Sequence, residues 1–276
     1  MSPPNGPKIL DCLRVTVNDV LSRYRQSQPA ADEISEHDLY LSPHFDDICF
    51  SLGAYVGHRR QGILLTVFSN STYVAKPDDP RVASGDRQAL VSALRCAEDL
   101  TFAQEVGLRQ ITASFDEAPI RGRDIFDTGS SVEDAATLNR KLFDAIMAAD
   151  CDRQAGLRPW LYCPMGIGGH VDHVTILRIV MSNYDALRAA YRIAYYEDLF
   201  YAADWPARIS GLNRFRAIVA PLQLRRSYHL IDDIQYKLKL VRLYESQFVE
   251  PPTTIAPFTP AQYFSTPAHE AIWTVE

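Results

Sequence analysis

The chain has 276 residues, of which 47% are hydrophobic and 22% charged, values that are typical of a globular protein and exclude disordered or collagen-like chains. Its length suits one large α/β domain. The formal charge of −6 provides no basic field for a phosphate backbone, so we expect no nucleic-acid partner.

The first predicted element is an amphipathic helix that precedes the main fold. Apolar residues recur at helical spacing between residues 9 and 24, and a polar stretch follows as far as Glu36. We interpret residues 1–36 as an N-terminal helix and linker, which packs on the domain or forms a contact in a homo-oligomer. Residues 37–276 then form the main domain.

From residue 37 the sequence alternates short apolar runs with longer segments of helical period. The predicted strands are 39–41, 63–68, 110–113, 160–163 and 192–196. The predicted helices are 46–60, 84–106, 132–149 with a capping box at Ser130 and Glu133, 170–181, and one that starts at residue 234 and is marked by apolar residues as far as 248. This alternation needs crossover connections, which favours a Rossmann-like, mostly parallel sheet with helices on both faces. A proline-rich tail from Glu250 is predicted to be an extended surface segment.

Two polar segments lie where predicted strands give way to helices. The first is Ser-Pro-His-Phe-Asp-Asp at residues 42–47, and the second is Gly-Ile-Gly-Gly-His-Val-Asp-His at residues 166–173. Either segment alone is an ordinary helix start, since acids and polar residues commonly cap helices. However, ligands of open parallel sheets bind at the carboxyl ends of the strands. The coincidence of both segments at such ends therefore predicts a metal site.

The residue types in these segments suit a catalytic zinc ion. Such an ion needs three protein ligands and an open position for water, whose pKa it lowers to about 7. His44, Asp47 and one of His170 and His173 fit this requirement. Nitrogen and carboxylate ligands also accept Fe²⁺ and Co²⁺, so the identity of the metal stays open.

The remaining polar residues of the two segments suit supporting roles. Asp46 would take the proton of the water and pass it to the leaving group. The histidine that does not bind metal would polarise the substrate carbonyl, and Asp172 would fix the tautomer of one ring. The glycines at 166, 168 and 169 do not have the spacing of a phosphate-binding loop.

The Pro-His-Phe-Asp-Asp and Gly-His-Val-Asp-His segments resemble the two signatures of the PIG-L/LmbE family of zinc-dependent N-deacetylases, His-Pro-Asp-Asp-Glu and His-x-Asp-His. The similarity covers roughly residues 38–248 and continues through Arg95–Asp99, Asp116–Pro119, Tyr196–Leu199 and Tyr244–Gln247. Phe45 and Ile48 depart from the usual Pro and Glu, and Gly168 stands where some members carry Tyr. These departures leave the predicted ligands intact and affect substrate recognition.

The resemblance implies a role for each residue of the two signatures. It implies that His44, Asp47 and His173 bind zinc, that Asp46 is the general base and later acid, and that His170 stabilises the oxyanion. It also implies an N-acylated substrate, most often an N-acetyl amino sugar or its conjugate.

Further residues are candidates for substrate contact, although each suits a packing ion pair equally well. They are Arg95, Asp116, Arg121, Glu197 and Asp198. A polar loop at 69–80 suits a lid, and the aromatic residues between 195 and 205 suit either the wall of a site or the core.

Two other functions stay open from the sequence. His44-x-Asp46 with a distant histidine matches the triad of non-haem iron(II) oxygenases, although the helical pattern from Asp46 disfavours strand geometry there. A non-catalytic binding protein with the same fold is the other alternative.

The expected compartment is the cytoplasm. No stretch approaches the roughly 18 apolar residues that span a bilayer, and the first residues lack a basic segment followed by an apolar run. We therefore expect no membrane partner. The five cysteines contain no CxxC pair, which predicts neither a disulfide framework nor a thiolate zinc site.

Overall fold

The computed structural model describes residues 35–83, 85–150, 158–261 and 266–275, so the predicted N-terminal helix lies outside the described residues. Within these ranges one sheet contains seven strands: β1 Leu39–Ser42, β2 Ile63–Thr66, β3 Arg109–Thr112, β4 Trp160–Pro164, β5 Arg192–Tyr196, β6 Leu224–Leu230 and β7 His269–Val275. Their order is β3-β2-β1-β4-β5-β7-β6. The first five are parallel, whereas β7 runs antiparallel to β5 and β6. The predicted mostly parallel α/β sheet is confirmed.

The described helices surround this sheet. They are α1 Asp47–Arg59, α2 Arg87–Val106, α3 Ser131–Ala149, α4 Val171–Ser182, α5 Tyr184–Ala190, α6 Trp205–Val219 and α7 Ile234–Val241. The sequence pattern did not predict α6, whose interior contains Gly211. A Cβ there would lie 2.7 Å from the Cα of Ile167, so a glycine lets the helix approach the loop after β4. No helix in the described ranges is long and apolar enough to cross a membrane.

Side chains of the strands alternate between two hydrophobic cores. Leu39 and Leu41 of β1 face a core shared with α3, α4 and α6, whereas Tyr40 faces a core shared with α1, α2 and α7. This period of two is that of a strand buried on both faces. The prediction of helices on both faces of the sheet is confirmed.

The structure differs from the sequence prediction at several boundaries. The capping box at the start of α3 does not form, because the Ser130 hydroxyl donates to Asp127 and makes no cap to the helix. The helix from residue 234 ends at Val241. The C-terminal segment does not stay on the surface, since its strand β7 inserts between β5 and β6 and buries His269–Trp273.

Helix α1 is interrupted near its middle. Leu52 has φ −132° and ψ 16°, which breaks the regular hydrogen bonding of the helix. The Nζ atom of Lys237 on α7 donates to the carbonyl oxygens of Cys49 at 2.7 Å and Phe50 at 3.0 Å. Lys237 thereby satisfies acceptors on the N-terminal side of the break, where unpaired buried groups would be costly.

Glu270 on β7 accepts hydrogen bonds from the part of α1 that follows the break. Its carboxylate accepts from the backbone amides of Ala54 at 2.9 Å and Tyr55 at 2.8 Å, and it forms an ion pair with Lys237. Both charged side chains are fully buried. The Lys237–Glu270 pair therefore joins the two halves of α1 to the C-terminal strand.

We expect Lys237→Met to lower the free energy of unfolding by about 3–5 kcal/mol, because Glu270 would be left buried without a counter-charge. The matched control is Lys239→Met on the same helix, whose ammonium is 58% exposed and pairs with Glu105. Its effect should stay within about 1 kcal/mol. Urea unfolding measures both values, and similar losses in the two variants would contradict this account of the buried pair.

Candidate metal centre

Three polar atoms meet at the carboxyl ends of β1 and β4. His44 follows β1, Asp47 opens α1, and His173 lies in the first turn of α4. Asp47 Oδ2 lies 3.2 Å from His44 Nδ1 and 3.3 Å from His173 Nε2. The two ring nitrogens are themselves 3.3 Å apart. The atoms thus form a nearly equilateral triangle, built from the two segments that the sequence singled out.

The outer nitrogen of each ring is bound to a buried carboxylate. His44 Nε2 donates to Asp172 Oδ2 at 3.0 Å, and His173 Nδ1 donates to Asp198 Oδ1 at 2.7 Å. A neutral imidazole has only one N–H, and a carboxylate partner determines which nitrogen carries it. When the rings are neutral, as metal binding requires, each therefore turns an unprotonated nitrogen towards Asp47.

The triangle fits a divalent metal ion. A tetrahedral ion with ligands at about 2.0–2.1 Å spaces its ligand atoms about 3.3–3.4 Å apart, close to the three observed distances. With both rings neutral, all three atoms present lone pairs, so a shared cation satisfies them together. Imidazole and carboxylate are suitable ligands for zinc, iron and cobalt.

His170 lies beside the triangle and completes a buried group of three histidines. One ring nitrogen from each of His44, His170 and His173 lies within 4.8 Å of the others, so this group could also hold a metal ion. However, His170 Nδ1 accepts from the backbone amide of Asp172 at 3.3 Å, which leaves Nε2 with the proton. Burial, together with the neighbouring imidazoles, lowers the pKa of His170 to about 2. A neutral ring with an Nε2–H suits a hydrogen-bond donor better than a metal ligand.

Charges and hydrogen bonds within the triangle shift the pKa values of its residues. Burial opposes ionisation of Asp47, but the charge of His173 and the hydrogen bonds of His44 hold its pKa well below its usual range. Burial also opposes protonation of His44, yet its hydrogen bonds to Asp172 and Asp47 raise its pKa. Asp47 is therefore a carboxylate at neutral pH.

Asp46 lies next to the triangle but makes different contacts. It precedes α1, makes no side-chain cap, and keeps 14% of its side chain exposed. Its Oδ1 atom accepts from Arg95 Nη2 at 3.1 Å. Burial raises the pKa of Asp46, and the charge of Arg95 opposes that rise. An accessible carboxyl of this kind is suited to accept and return a proton.

Arg95 is held behind Asp46 and does not face solvent. It is 3% exposed, and its Nη1 donates to Glu117 Oε1 at 2.6 Å and to Ser71 Oγ at 2.7 Å. These contacts make Arg95 a support for Asp46, and its contact with substrate stays a prediction. Sequence reasoning placed Ser71 in the polar loop at 69–80, but it predicted no contact of Glu117 or Ser71 with Arg95. The only signal for Glu117 was its place in the Asp116–Pro119 segment.

Arg121 performs a similar supporting task for Asp172. Its Nη2 donates to Asp172 Oδ1 at 2.7 Å and to Asp134 Oδ2 at 2.8 Å. The Asp172 carboxylate is thereby held between an arginine and His44, as a residue that orients a ligand should be. Asp116 is half-buried, and its carboxylate accepts from Asn70 Nδ2 at 2.8 Å. Its contact with substrate stays a prediction.

Glu197 and Asp198 are adjacent but have unrelated surroundings. Glu197 is 1% exposed and accepts from Arg208 at 2.7 Å, while Arg226 lies 2.9 Å away as a second ion-pair partner. It is therefore part of a buried ion pair, and its contact with substrate stays a prediction. Asp198 is also 1% exposed, and it accepts from His173 and from the backbone amide of Ile167. It orients a histidine, and its contact with substrate stays a prediction.

The aromatic residues between 195 and 205, which the sequence assigned to either a wall or the core, are divided between the two places. Tyr195 and Tyr196 are fully buried in the two cores. The ring of Tyr201 lies edge-on to His173, with ring centres 5.9 Å apart. A Cβ on Gly168 would lie 2.3 Å from the ring of Tyr201, so the glycine makes room for this aromatic side chain.

The fold is similar to that of solved deacetylases. An A40926 pseudoaglycone deacetylase aligns with a TM-score of 0.58 and 19% identity, covering 87% of this chain and 97% of that one. The zinc-inhibited form of teicoplanin deacetylase aligns with a TM-score of 0.59 and 18% identity, covering 87% and 98%. No protein-family model and no curated protein matches the chain. At these identities the likeness establishes a shared single-domain α/β fold.

We expect Asp198→Asn to weaken the binding of a divalent ion about 10- to 100-fold, the usual effect of losing a carboxylate that orients a histidine ligand. The amide has one acceptor for two donors, His173 Nδ1 and the amide of Ile167. Competition with a chromophoric chelator measures the affinity. Asp116→Asn, which removes a carboxylate that contacts neither histidine, is the control. Unchanged affinity in Asp198→Asn would refute the orienting role.

Proposed function

We propose that this chain is a metal-dependent N-deacetylase that removes an acyl group, usually acetyl, from the nitrogen of an amino sugar or a sugar conjugate. The observation that carries the proposal is the triangle of His44 Nδ1, Asp47 Oδ2 and His173 Nε2, with edges of 3.2, 3.3 and 3.3 Å. Membership of the PIG-L/LmbE family is part of the proposal. The two sequence signatures and the fold shared with deacetylases support it.

His44, Asp47 and His173 are the proposed ligands of a zinc ion, with Fe²⁺ and Co²⁺ as alternatives. When bound, such an ion acts as a Lewis acid and makes water nucleophilic near neutral pH. Asp172 and Asp198 hold the two rings with their lone pairs inwards. The three ligand atoms would therefore move little when the ion binds.

Asp46 is the proposed general base and acid. Its carboxylate takes a proton from water as the oxygen adds to the acyl carbon, and returns that proton to the amine nitrogen as the C–N bond breaks. The products are a carboxylic acid and a free amine, so no oxidant or further reactant is needed. Arg95 holds Asp46 in place from the buried side.

His170 is the proposed donor to the acyl oxygen. The contact of its Nδ1 with the amide of Asp172 leaves Nε2–H free to donate to the negative charge that develops on that oxygen. Burial keeps the ring neutral, as its lowered pKa shows.

The geometry favours this function over the two alternatives. An oxygenase triad would use Asp46 as a ligand, but Asp46 accepts from Arg95 and the carboxylate that completes the triangle is that of Asp47. A non-catalytic protein would have no use for an accessible acid and a neutral donor beside the ion. Asp46 and His170 supply both.

Asp46→Asn should keep its metal and lose about 10²- to 10⁴-fold in turnover, because the amide cannot accept a proton. Acetate release from an N-acetylated amino sugar gives the rate, and elemental analysis of the purified variant gives the metal content. Asp116→Asn is the matched loss of one carboxylate outside the triangle and should keep full metal content. Near-normal turnover by metal-loaded Asp46→Asn would exclude the proposed base.

The metal content of two variants distinguishes the proposed site, in which Asp47 is a ligand, from a site made of the three histidines, in which His170 is a ligand. Asp47→Ala should purify without stoichiometric metal, because one corner of the triangle is lost. His170→Ala should retain the metal and lose about 10²- to 10³-fold in turnover, as expected for one oxyanion donor. Elemental analysis of both variants decides the question. Metal loss in His170→Ala, with retention in Asp47→Ala, would assign the site to the three histidines.

A further inference from the structure

Arg214 on α6 lies directly beside the loop that carries His170. Its two terminal nitrogens are 3.0 and 3.1 Å from the position that a Cβ on Gly169 would occupy, and Thr128 borders the same place. Gly169 has φ +81° and immediately precedes His170. A glycine at this position therefore allows the half-buried guanidinium to approach the backbone of the proposed active site.

The guanidinium of Arg214 has no carboxylate partner among the described residues. No acid in those ranges lies within the 4.0 Å of an ion pair, and its Nε atom is buried without a hydrogen bond. Asp198 is the acid whose charge favours the protonated form of Arg214, but Asp198 already accepts from His173 and Ile167. By contrast, every arginine that is less than a tenth exposed in the described ranges is paired with a carboxylate, namely Arg59, Arg95, Arg208 and Arg226.

A second arginine adds positive charge to the same region. Arg178 on α4 donates from Nε to Ser131 Oγ at 2.9 Å, and no described carboxylate pairs with it either. Burial lowers the pKa of Arg214, and Arg178 lowers it further, although Arg214 stays protonated at neutral pH. Partly buried positive charge without a counter-ion is costly. An anion that enters this region removes the cost.

We propose that Arg214, with Arg178 nearby, binds an anionic group of the substrate close to the reacting amide. The proposal rests on the proposed function and narrows its substrate class to N-acylated sugars that carry a carboxylate or a phosphate. The planar fork of an arginine binds the oxygens of either group through two parallel hydrogen bonds. Because Gly169 adjoins His170, this contact would orient the acyl group towards the proposed donor.

The test compares matched neutral and anionic substrates. N-acetylglucosamine, its 6-phosphate and its 3-O-lactyl ether differ in the charged group, and the last two distinguish phosphate from carboxylate. We expect wild type to prefer at least one anionic compound in kcat/KM. Arg214→Gln should reduce that preference about 10- to 150-fold, mainly through KM, as expected for loss of charge-assisted hydrogen bonds. Arg214→Lys should restore part of it, because the charge returns without the fork.

Arg216→Gln is the control variant, since it removes the same charge from the same helix two residues away. It should keep the wild-type preference. A preference that is absent in wild type, unchanged in Arg214→Gln or equally reduced in Arg216→Gln would overturn the proposal.

A binding measurement separates this inference from the proposed function. Calorimetric titration of the full-length protein with inorganic phosphate needs no turnover, and we expect binding in wild type and Arg216→Gln that Arg214→Gln weakens at least tenfold. If phosphate binding depends on Arg214 but no N-acetylated substrate is cleaved, the anion site stands and the proposed function fails. If substrates are cleaved without regard to charge and phosphate binding is the same in all three proteins, the proposed function stands and the anion site fails.

Discussion

The arrangement of the site depends on two hydrogen bonds that direct lone pairs inwards. Asp172 and Asp198 each accept a proton of one imidazole, so the neutral rings of His44 and His173 both face Asp47 with bare nitrogens. Without these carboxylates either ring could place an N–H in the centre, and the triangle would become a hydrogen-bonded cluster. The outer carboxylates therefore determine the chemistry of the inner atoms.

Two arginines hold the carboxylates of Asp172 and Asp46. Arg121 binds Asp172, and Arg95 plays the equivalent part for Asp46. Each of these arginines also pairs with a second acid, Asp134 and Glu117 respectively. Asp46 and Asp172 are thus held by ion pairs that are mostly shielded from water, which limits their movement.

Much of this arrangement could be predicted from the sequence because the key residues are local to strand ends. His44 and Asp47 are three residues apart, and the strand pattern around them indicates which edge of the sheet they occupy. The roles of Glu197 and Asp198 could not be predicted in this way. Adjacent residues point to opposite sides of an extended chain, and only the distant partners Arg226 and His173 show which of the two supports the site.

The sequence pattern did not predict strands β6 and β7, for a related reason. A proline-rich segment precedes strand β7. The place of β7 between β5 and β6 depends on hydrogen bonds to strands that are distant in the sequence. Its Glu270 then bonds to amides of α1 that lie 216 and 215 residues earlier. During translation, the helix that presents Asp46 and Asp47 leaves the ribosome long before the carboxylate that bridges its interruption is synthesised. The two halves of this helix are therefore joined through Glu270 only after the chain between Tyr55 and Glu270 has been made.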